Sequence, residues 1–553
     1  MSPGVGRAFQ AQVFADSWAQ FLKLKVDGHP FTIQGREYER DILRDEHPYI
    51  IAPKGAQMGL TIVFLVRAFH RILKRKWAHL YLLPVKAGSK TFVQQRIDTL
   101  IDLNPEIKRR FQRVDNAMHK QTTDGIPLYI RGTNIWSELR EIPVDCLVMD
   151  ERDVMAEKNI PEAEARLDGS NIKHIVELST PTVPGHGVDS EEAWGASDQM
   201  RWNVPCPHCN RYQVFTVDEN IVIGDTVDDC FLRCAFCKKL ISDEDRAALN
   251  ALGHWDAENP GAAKRGYHIS QLNSPTKKIA GPTSFMTNYF AGQRDATKLR
   301  AWHNNNRGEP YVAAGDQFNP DLLDKCREPG LTPGGIPNGP VYIGVDVGTF
   351  LHVKSSYMKN GKRVMWQIKL LAPRGGKSMW TQLDEWLSSL GSFTCVIDAE
   401  PEKTYAQDFS KKYPGRVFVG FEKDRPDQAE MAVFSDVKQG DVAKVNIDRT
   451  AAFDQVIKSY MDGNTRLTAD ARELGEAMPR LSFNGFYHQM CQMVRAPEYD
   501  KNDRLIYRWK KNKNKDHWHH ADMFELIATL KEPYTTLSPE EAELFARAGG
   551  VFG

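Results

Sequence analysis

Residues 49–70, YIIAPKGAQMGLTIVFLVRAFH, decide the fold. The apolar run from Tyr49 to Ala52 reads as a buried strand, the segment holding Gly55 and Gly59 as a turn, and the apolar stretch from Thr61 as a helix. A glycine-containing loop between strand and helix lets backbone N–H groups converge on an anion at the helix N-terminus. A hydroxyl at the loop end then reaches Mg²⁺, and a lysine neutralises the outer phosphates. Thr61 supplies the hydroxyl, but Leu60 stands where the lysine usually does. The loop's only lysine is Lys54, at its start, with a flexible stem long enough to carry the ammonium back over the phosphates. Lys54, Gly55, Gln57, Gly59 and Thr61 are therefore the nucleotide-binding candidates.

Outward from this stretch the alternation continues. Ala78 to Leu83, AHLYLL, is a second buried strand closed by Pro84, and Lys86 to Leu100 reads as a helix. Such alternation predicts a parallel sheet covered on both faces. Asp145 to Glu151, DCLVMDE, is an apolar strand with two adjacent carboxylates at its exposed end. In nucleotide-hydrolysing sheets the first such acid holds the Mg²⁺ shell and the second polarises the attacking water, which assigns those roles to Asp150 and Glu151. The next strand, HIVELSTPT from His174 to Thr182, ends in hydroxyl residues suited to sensing a γ-phosphate. Upstream, SWAQFLKL predicts an amphipathic N-terminal helix packed on the body.

With 553 residues the chain is long enough for two to four domains with sizeable cores. Lys+Arg and Asp+Glu both number 72, so any nucleic-acid contact must come from local basic patches and not from a global field. No apolar run approaches a membrane span, and MSPGVGRAFQAQVF at the N-terminus lacks a signal-peptide core, so the expected setting is a reducing cytoplasm. Nine cysteines, four of them in tight pairs, suit metal ligation better than a disulfide framework. Cys206 with Cys209 and Cys234 with Cys237 form two Cys-x2-Cys pairs around a short β-rich stretch, the ligand set of a tetrahedral Cys₄ zinc ribbon at about 203–240. Four thiolates leave no open coordination position, so this Zn²⁺ is structural, and Cys230 and His208 are spectators.

Arg327 to Pro340, REPGLTPGGIPNGP, is rich in Pro and Gly and marks a boundary between domains 1–335 and 336–553. Beyond it, VYIGVDVGT is a buried strand with Asp346 inside it, and Asn360-Gly361 joins two alternating runs as a hairpin. Trp380 to Ser389 reads as a helix, FTCVIDAE as a buried strand ending at Asp398 and Glu400, and HWHHADMFELIATL as a terminal helix carrying Asp522. Acids on a first strand, a later strand and a terminal helix match the way ribonuclease-H-like nucleases clamp two Mg²⁺ or Mn²⁺ ions around a scissile phosphate. An acid buried mid-strand, such as Asp346, is costly without a counter-ion. Asp346, Asp398 and Asp522 are the expected metal ligands, with Glu400 and Asp516 as alternates. Tyr507 to His520, YRWKKNKNKDHWHH, interleaves cations with aromatics in a strip suited to phosphates and bases, and its histidines read as surface residues.

Taken together, KGAQMGLT, LVMDE, LSTPT, VPCPHC, GYHISQL, RGEPY and GVDVG resemble the large terminase subunit of tailed bacteriophages, in the group like the lambda packaging enzyme, in consistent order from Tyr38 to Ala528. The resemblance implies an N-terminal ATPase of the additional-strand P-loop class that pumps double-stranded DNA into a procapsid. It also implies a C-terminal ribonuclease-H-like nuclease that cuts concatemeric DNA. Its implied partners are the small terminase subunit and the portal protein, with a homo-oligomeric ring on the portal, in the host cytoplasm and away from any membrane. Within it, Lys54, Gly59 and Thr61 match the nucleotide loop, Asp150 and Glu151 the metal-binding and catalytic acids, Thr180 the motif coupling hydrolysis to movement, and Asp346 the first nuclease acid. Leu60 and the sequence DAEPEK after the second nuclease strand depart from the pattern, leaving Asp398 and Glu400 both open. The other reading is an integrase- or transposase-type nuclease whose front half is a non-hydrolysing scaffold.

Overall fold

The computed structural model describes residues 10–531 except 112–113, 141, 333, 335–336, 338, 426–427, 429, 436–440, 475–484, 501 and 512–514. The chain divides into two compact units, Met1–Ala313 with Pro497–Ile506, and Ala314–Ala496 with Tyr507–Gly553. The helix Pro320–Cys326 lies in the second unit although it precedes the Pro/Gly stretch. Its Leu323 and Cys326 are buried in that unit's core, which is why the division falls earlier in the chain than composition suggests.

In the first unit, strands β1 (Tyr49–Pro53), β2 (His79–Leu83), β3 (Pro127–Gly132), β4 (Cys146–Asp150), β5 (His174–Ser179), β6 (Met200–Pro205) and β7 (Arg265–His268) form one parallel run. Their order is β6-β7-β1-β5-β4-β2-β3, inside a sheet extended at its edges by antiparallel strands. The later strand β5 thus sits between β1 and β4. Four of the five β1 residues are buried and β2 and β4 are buried throughout, which matches their continuous apolar sequences. Helix α1 (Leu60–His70) buries Val63, Phe64, Leu65, Val66 and Phe69 and is therefore apolar nearly all round. The N-terminal helix Ala15–Phe21 buries Trp18 in the same core.

In the second unit, β8 (Val341–Val347), β9 (Leu351–Lys359) and β10 (Lys362–Leu371) run antiparallel, while β11 (Phe393–Asp398), β12 (Val417–Lys423) and β13 (Lys444–Asp448) continue parallel to β8. The order is β13-β12-β11-β8-β9-β10, with short strands at both edges. Asn360 and Gly361, both at positive φ, turn β9 into β10 as the hairpin signal predicts. Helices α2 (Met379–Ser388) and α3 (Lys403–Lys412) connect β10 to β11 and β11 to β12, α4 (Arg449–Met461) leads from β13 to a short edge strand, and α5 (His517–Ala528) lies across β8. A Cβ at Gly344 would drive into the backbone of Ala521 and Glu525, so glycine in the middle of β8 lets α5 approach this closely. Among the described residues, no helix is long and apolar enough to cross a membrane.

Candidate functional site

The parallel register brings the ends of β1, β5 and β4 together, because Pro53 pairs with Ser179 and Leu178 with Asp150. Lys54, Thr180 and Glu151 therefore leave the sheet at one edge. Leu60 is buried in the core under α1. Burying a leucine there contributes about 1.5–3 kcal/mol, whereas an ammonium would be stranded without water. The position most often given to lysine thus faces inward in this chain, and Lys54 extends its Nζ to 3.9 Å from Glu151 Oε1.

Gly59 opens α1 in a left-handed conformation, and no side chain caps the helix, so its first-turn amides remain for an anion. Thr61 is half-buried on the first turn, while Gln57 is exposed in the loop at positive φ. The amides of Gly55 and Ala56 are committed to Ile269 O and Asn305 O, at 2.8 and 2.7 Å, and hold the loop's entry rigid. A Cβ at Gly59 would collide with Glu39, a buried acid that burial pushes up to about 8, with Arg36 3.9 Å away.

Asp150 is buried, accepts a 2.7 Å hydrogen bond from Tyr81 Oη, and keeps its Oδ1 without a hydrogen-bond partner. An orphaned carboxylate oxygen beside the glycine loop fits a Mg²⁺ shell, and the adjacent Glu151 is half-exposed and open to a water. Behind them, buried Asp153 accepts from the Thr182 amide and hydroxyl and from the Val188 amide, at 2.7 to 3.0 Å, tying the β5 loop to the acidic strand end. Burial pushes Asp153 up to about 7.

Cys206, Cys209, Cys234 and Cys237 converge with all Sγ atoms within 4.8 Å of one another. The Cys206–Cys237 and Cys209–Cys234 separations are 3.7 and 3.8 Å. Both match the edge length of a tetrahedron whose centre lies about 2.3 Å from each sulfur, the Zn–S bond length. The amides of His208 and Phe236 point at Cys206 and Cys234 Sγ, as knuckle amides do toward thiolates. His208 Nε2 is engaged with Leu240 O and Cys230 Sγ with Thr226 O, so both stand outside the cluster.

In the second unit the carboxyl ends of three adjacent parallel strands carry acids. Val345 pairs with Ile397, so Asp346 and Asp398 follow side by side, and Glu422 lies two residues past Gly420, the partner of Asp398. Burial, with Asp346 and Glu422 nearby, pushes Asp398 up to about 8. Helix α5 supplies the facing groups: His517 Nδ1 is 2.7 Å from Asp346 Oδ2, and His520 bridges Glu422 at 3.1 Å and Asp516 at 3.3 Å. Burial alone would keep His520 neutral, but these two carboxylates raise its pKa well above the ordinary value. Burial would likewise raise Asp516 and Glu422, yet the imidazolium draws both below their ordinary values, Asp516 well below.

Asp522 is not brought to this site. It is fully buried and ion-paired to Lys354 and Arg363, at 2.6 and 2.7 Å, in a closed group with Glu525. The helical period explains the displacement: Asp516, His517 and His520 face the strand ends, while Asp522 and Glu525 lie further along α5 over β9 and β10. Glu400 is exposed beyond the strand end. Nor are the three histidines surface residues. His517 and His520 enter the acidic cluster, and His519 is fully buried among Phe318, Phe453 and Trp509. Residues 512–514 of the basic strip lie outside the described residues. In the remainder, Arg508 pairs with Asp424 and Lys511 with Asp516.

Residues 34–255 match the ATPase domain of the phage terminase large subunit gpA family. No curated protein matches the chain. Among solved structures, the large terminase of bacteriophage HK97 is 12% identical over 91% of this chain and 96% of its own, with a TM-score of 0.47. A large terminase from a thermophilic bacteriophage, solved in complex with ADP, is 12% identical over 91% of this chain and 100% of its own, with a TM-score of 0.30. The large terminase nuclease of thermophilic phage G20c is 8% identical over 39% of this chain and 98% of its own, with a TM-score of 0.25. The terminase match spans Lys54, Asp150, Glu151 and all four clustered cysteines.

Sequence reasoning missed Glu39, Tyr81, His352 and Glu422. Glu39 and Tyr81 sit in ordinary helical and strand sequence, and only the fold carries them to Gly59 and Asp150. Glu422 had a signal, an acid ending the apolar run VFVGFEK, parallel to those at Asp150 and Asp398.

Proposed function

We propose that this chain is the large subunit of a DNA-packaging terminase, with an ATP-driven first unit that translocates viral double-stranded DNA into a procapsid and a metal-dependent endonuclease in the second unit. One observation carries the reading: β5 lies between β1 and β4, the additional-strand order, with Lys54 Nζ 3.9 Å from Glu151 at the common strand edge. Lys54 and the first-turn amides of α1 would hold the outer phosphates of ATP. Thr61 and Asp150 would hold Mg²⁺, which neutralises the charge developing on the transferred phosphate. Glu151 would orient the attacking water, and its contact with Lys54 would break as the ammonium turns to phosphate. Asp153, bonded to the loop after Thr180, would pass the change at the acidic strand end into that loop.

The antiparallel β8-β9-β10 meander followed by parallel strands, crossed by α5, supports a ribonuclease-H-like second unit. Asp346 and Asp398 would hold divalent ions that stabilise the attacking and leaving oxygens of the scissile phosphate. Glu422 and Asp516, and not Asp522, would complete the acidic set through His520. The four cysteines would hold Zn²⁺ as a structural clip in the first unit. Double-stranded DNA, the small terminase subunit, the portal protein and a homo-oligomeric ring on the portal are the partners this reading implies.

The division of labour is tested on the full chain by two assays, ATP turnover and plasmid cutting. Glu151→Gln should abolish turnover and leave cutting, and Asp346→Asn should do the reverse. Loss of both activities in either variant would refute it.

A further inference from the structure

His352 is a buried polar side chain with one ring nitrogen left without a hydrogen bond. It is 4% exposed, and its Nδ1 makes no hydrogen bond, lying 4.0 Å from Asp346 Oδ2. His517 Nδ1 reaches the same carboxylate oxygen from α5 at 2.7 Å, and the two imidazoles lie face to face with centroids 4.4 Å apart. One ligand atom from each of Asp346, His352 and His517 falls within a 4.8 Å group. The backbone accommodates the cluster, since a Cβ at Gly348 would come within 3.2 Å of the His517 ring. A buried imidazole nitrogen left unpaired costs desolvation that a bound cation would repay.

We propose that Asp346, His352 and His517 form a mixed nitrogen–oxygen site for a divalent transition ion of the Mn²⁺-to-Zn²⁺ series, and that the two imidazoles select such an ion over Mg²⁺ at the nuclease centre. The inference rests on the reading of the second unit as a metal-dependent nuclease and deepens it by naming the class of ion. The selectivity follows from ligand chemistry. Mg²⁺ favours hard oxygen ligands and gives up its waters reluctantly, whereas imidazole suits the transition ions. A clamp made only of carboxylates would not discriminate in this way. Trp518 packs edge-on against the His352 ring at 4.7 Å to limit its rotation.

The test uses the full chain carrying zinc on its thiolates, titrated with Mn²⁺ and separately with Mg²⁺ by calorimetry, and with Mn²⁺ by electron paramagnetic resonance. The expected result is a tightest-bound Mn²⁺ held at least about tenfold more tightly than Mg²⁺, with nitrogen hyperfine coupling in the spectrum. His352→Gln and His517→Gln should each weaken Mn²⁺ by about tenfold or more and lose part of that coupling. The His517 side chain is 25% exposed, so its replacement keeps the test valid even if His352→Gln unfolds. Equal affinity for Mn²⁺ and Mg²⁺, or wild-type Mn²⁺ binding in the His517 variant, overturns the inference. Plasmid cutting separates the two claims. Cutting that needs Asp346 but shows no histidine-dependent Mn²⁺ binding sinks the metal site alone. Histidine-dependent Mn²⁺ binding without cutting by any metal upholds the site and sinks the nuclease reading.

Discussion

Asp522→Asn separates a structural acid from a metal ligand. In the native chain Lys354 Nζ is 2.6 Å from both Asp522 and Glu525, and Arg363 Nη1 is 2.7 Å from both, with all four side chains at most 3% exposed. Two cations balance two anions, so the group is neutral. The substitution leaves one buried positive charge unmatched, and breaking a buried pair in this way costs about 3–5 kcal/mol. For a unit of this size each kcal/mol lowers the unfolding midpoint by about 2–4 °C, which puts the expected drop at roughly 6–20 °C. The pH dependence carries the same signature. Burial would raise Asp522, but Arg363 and Lys354 hold it well below the ordinary carboxylate value. Its contribution is therefore present above the unfolded pKa and lost only as pH falls through the lower folded one. Thermal unfolding followed by tryptophan fluorescence, paired with Mn²⁺ titration at a temperature where the variant is folded, reads both effects. A variant that melts like wild type yet binds no metal would refute the structural assignment and return Asp522 to the metal cluster.

Further outcomes follow from other contacts. Gly59→Ala should abolish nucleotide binding, because the new Cβ meets Glu39 and the left-handed backbone is strained; fluorescent-nucleotide titration measures it. Glu39→Gln should flatten the stability profile of the first unit between about pH 4.3 and 8. Its raised folded pKa means that the folded state holds a proton the unfolded state releases in that window, so native stability falls as pH rises there and the amide removes the fall. Cys234→Ser should lower the zinc content from one to near zero per chain by elemental analysis and destabilise the first unit, with the second unaffected.

Much of this was legible in the chain because apolar runs closing on paired acids, and a glycine loop opening an apolar helix, are local patterns. The parallel sheet, the hairpin at Asn360-Gly361 and the convergence of four cysteines follow from such patterns. What local pattern could not carry is which face of a helix meets the strand ends. Asp522 and Asp516 are equally acidic in sequence, and only the rotation of α5, fixed by Gly344 and the Lys354–Arg363 cations, turns one into the core and the other toward Glu422. The same rotation takes His519 into a hydrophobic pocket while its neighbour His520 faces carboxylates. Leu60 shows the opposite case, a sequence departure whose reason is packing, with Lys54 already placed near Glu151.

Steady-state ATP hydrolysis by the full chain with Mg²⁺, in wild type and in Lys54→Ala and Glu151→Gln, tests the central claim most directly. Turnover in the wild type, reduced to background by either substitution, is the result predicted. Turnover that survives Lys54→Ala would contradict the assignment of the phosphate lysine, and a wild type without turnover in the presence of DNA and portal would contradict the motor itself.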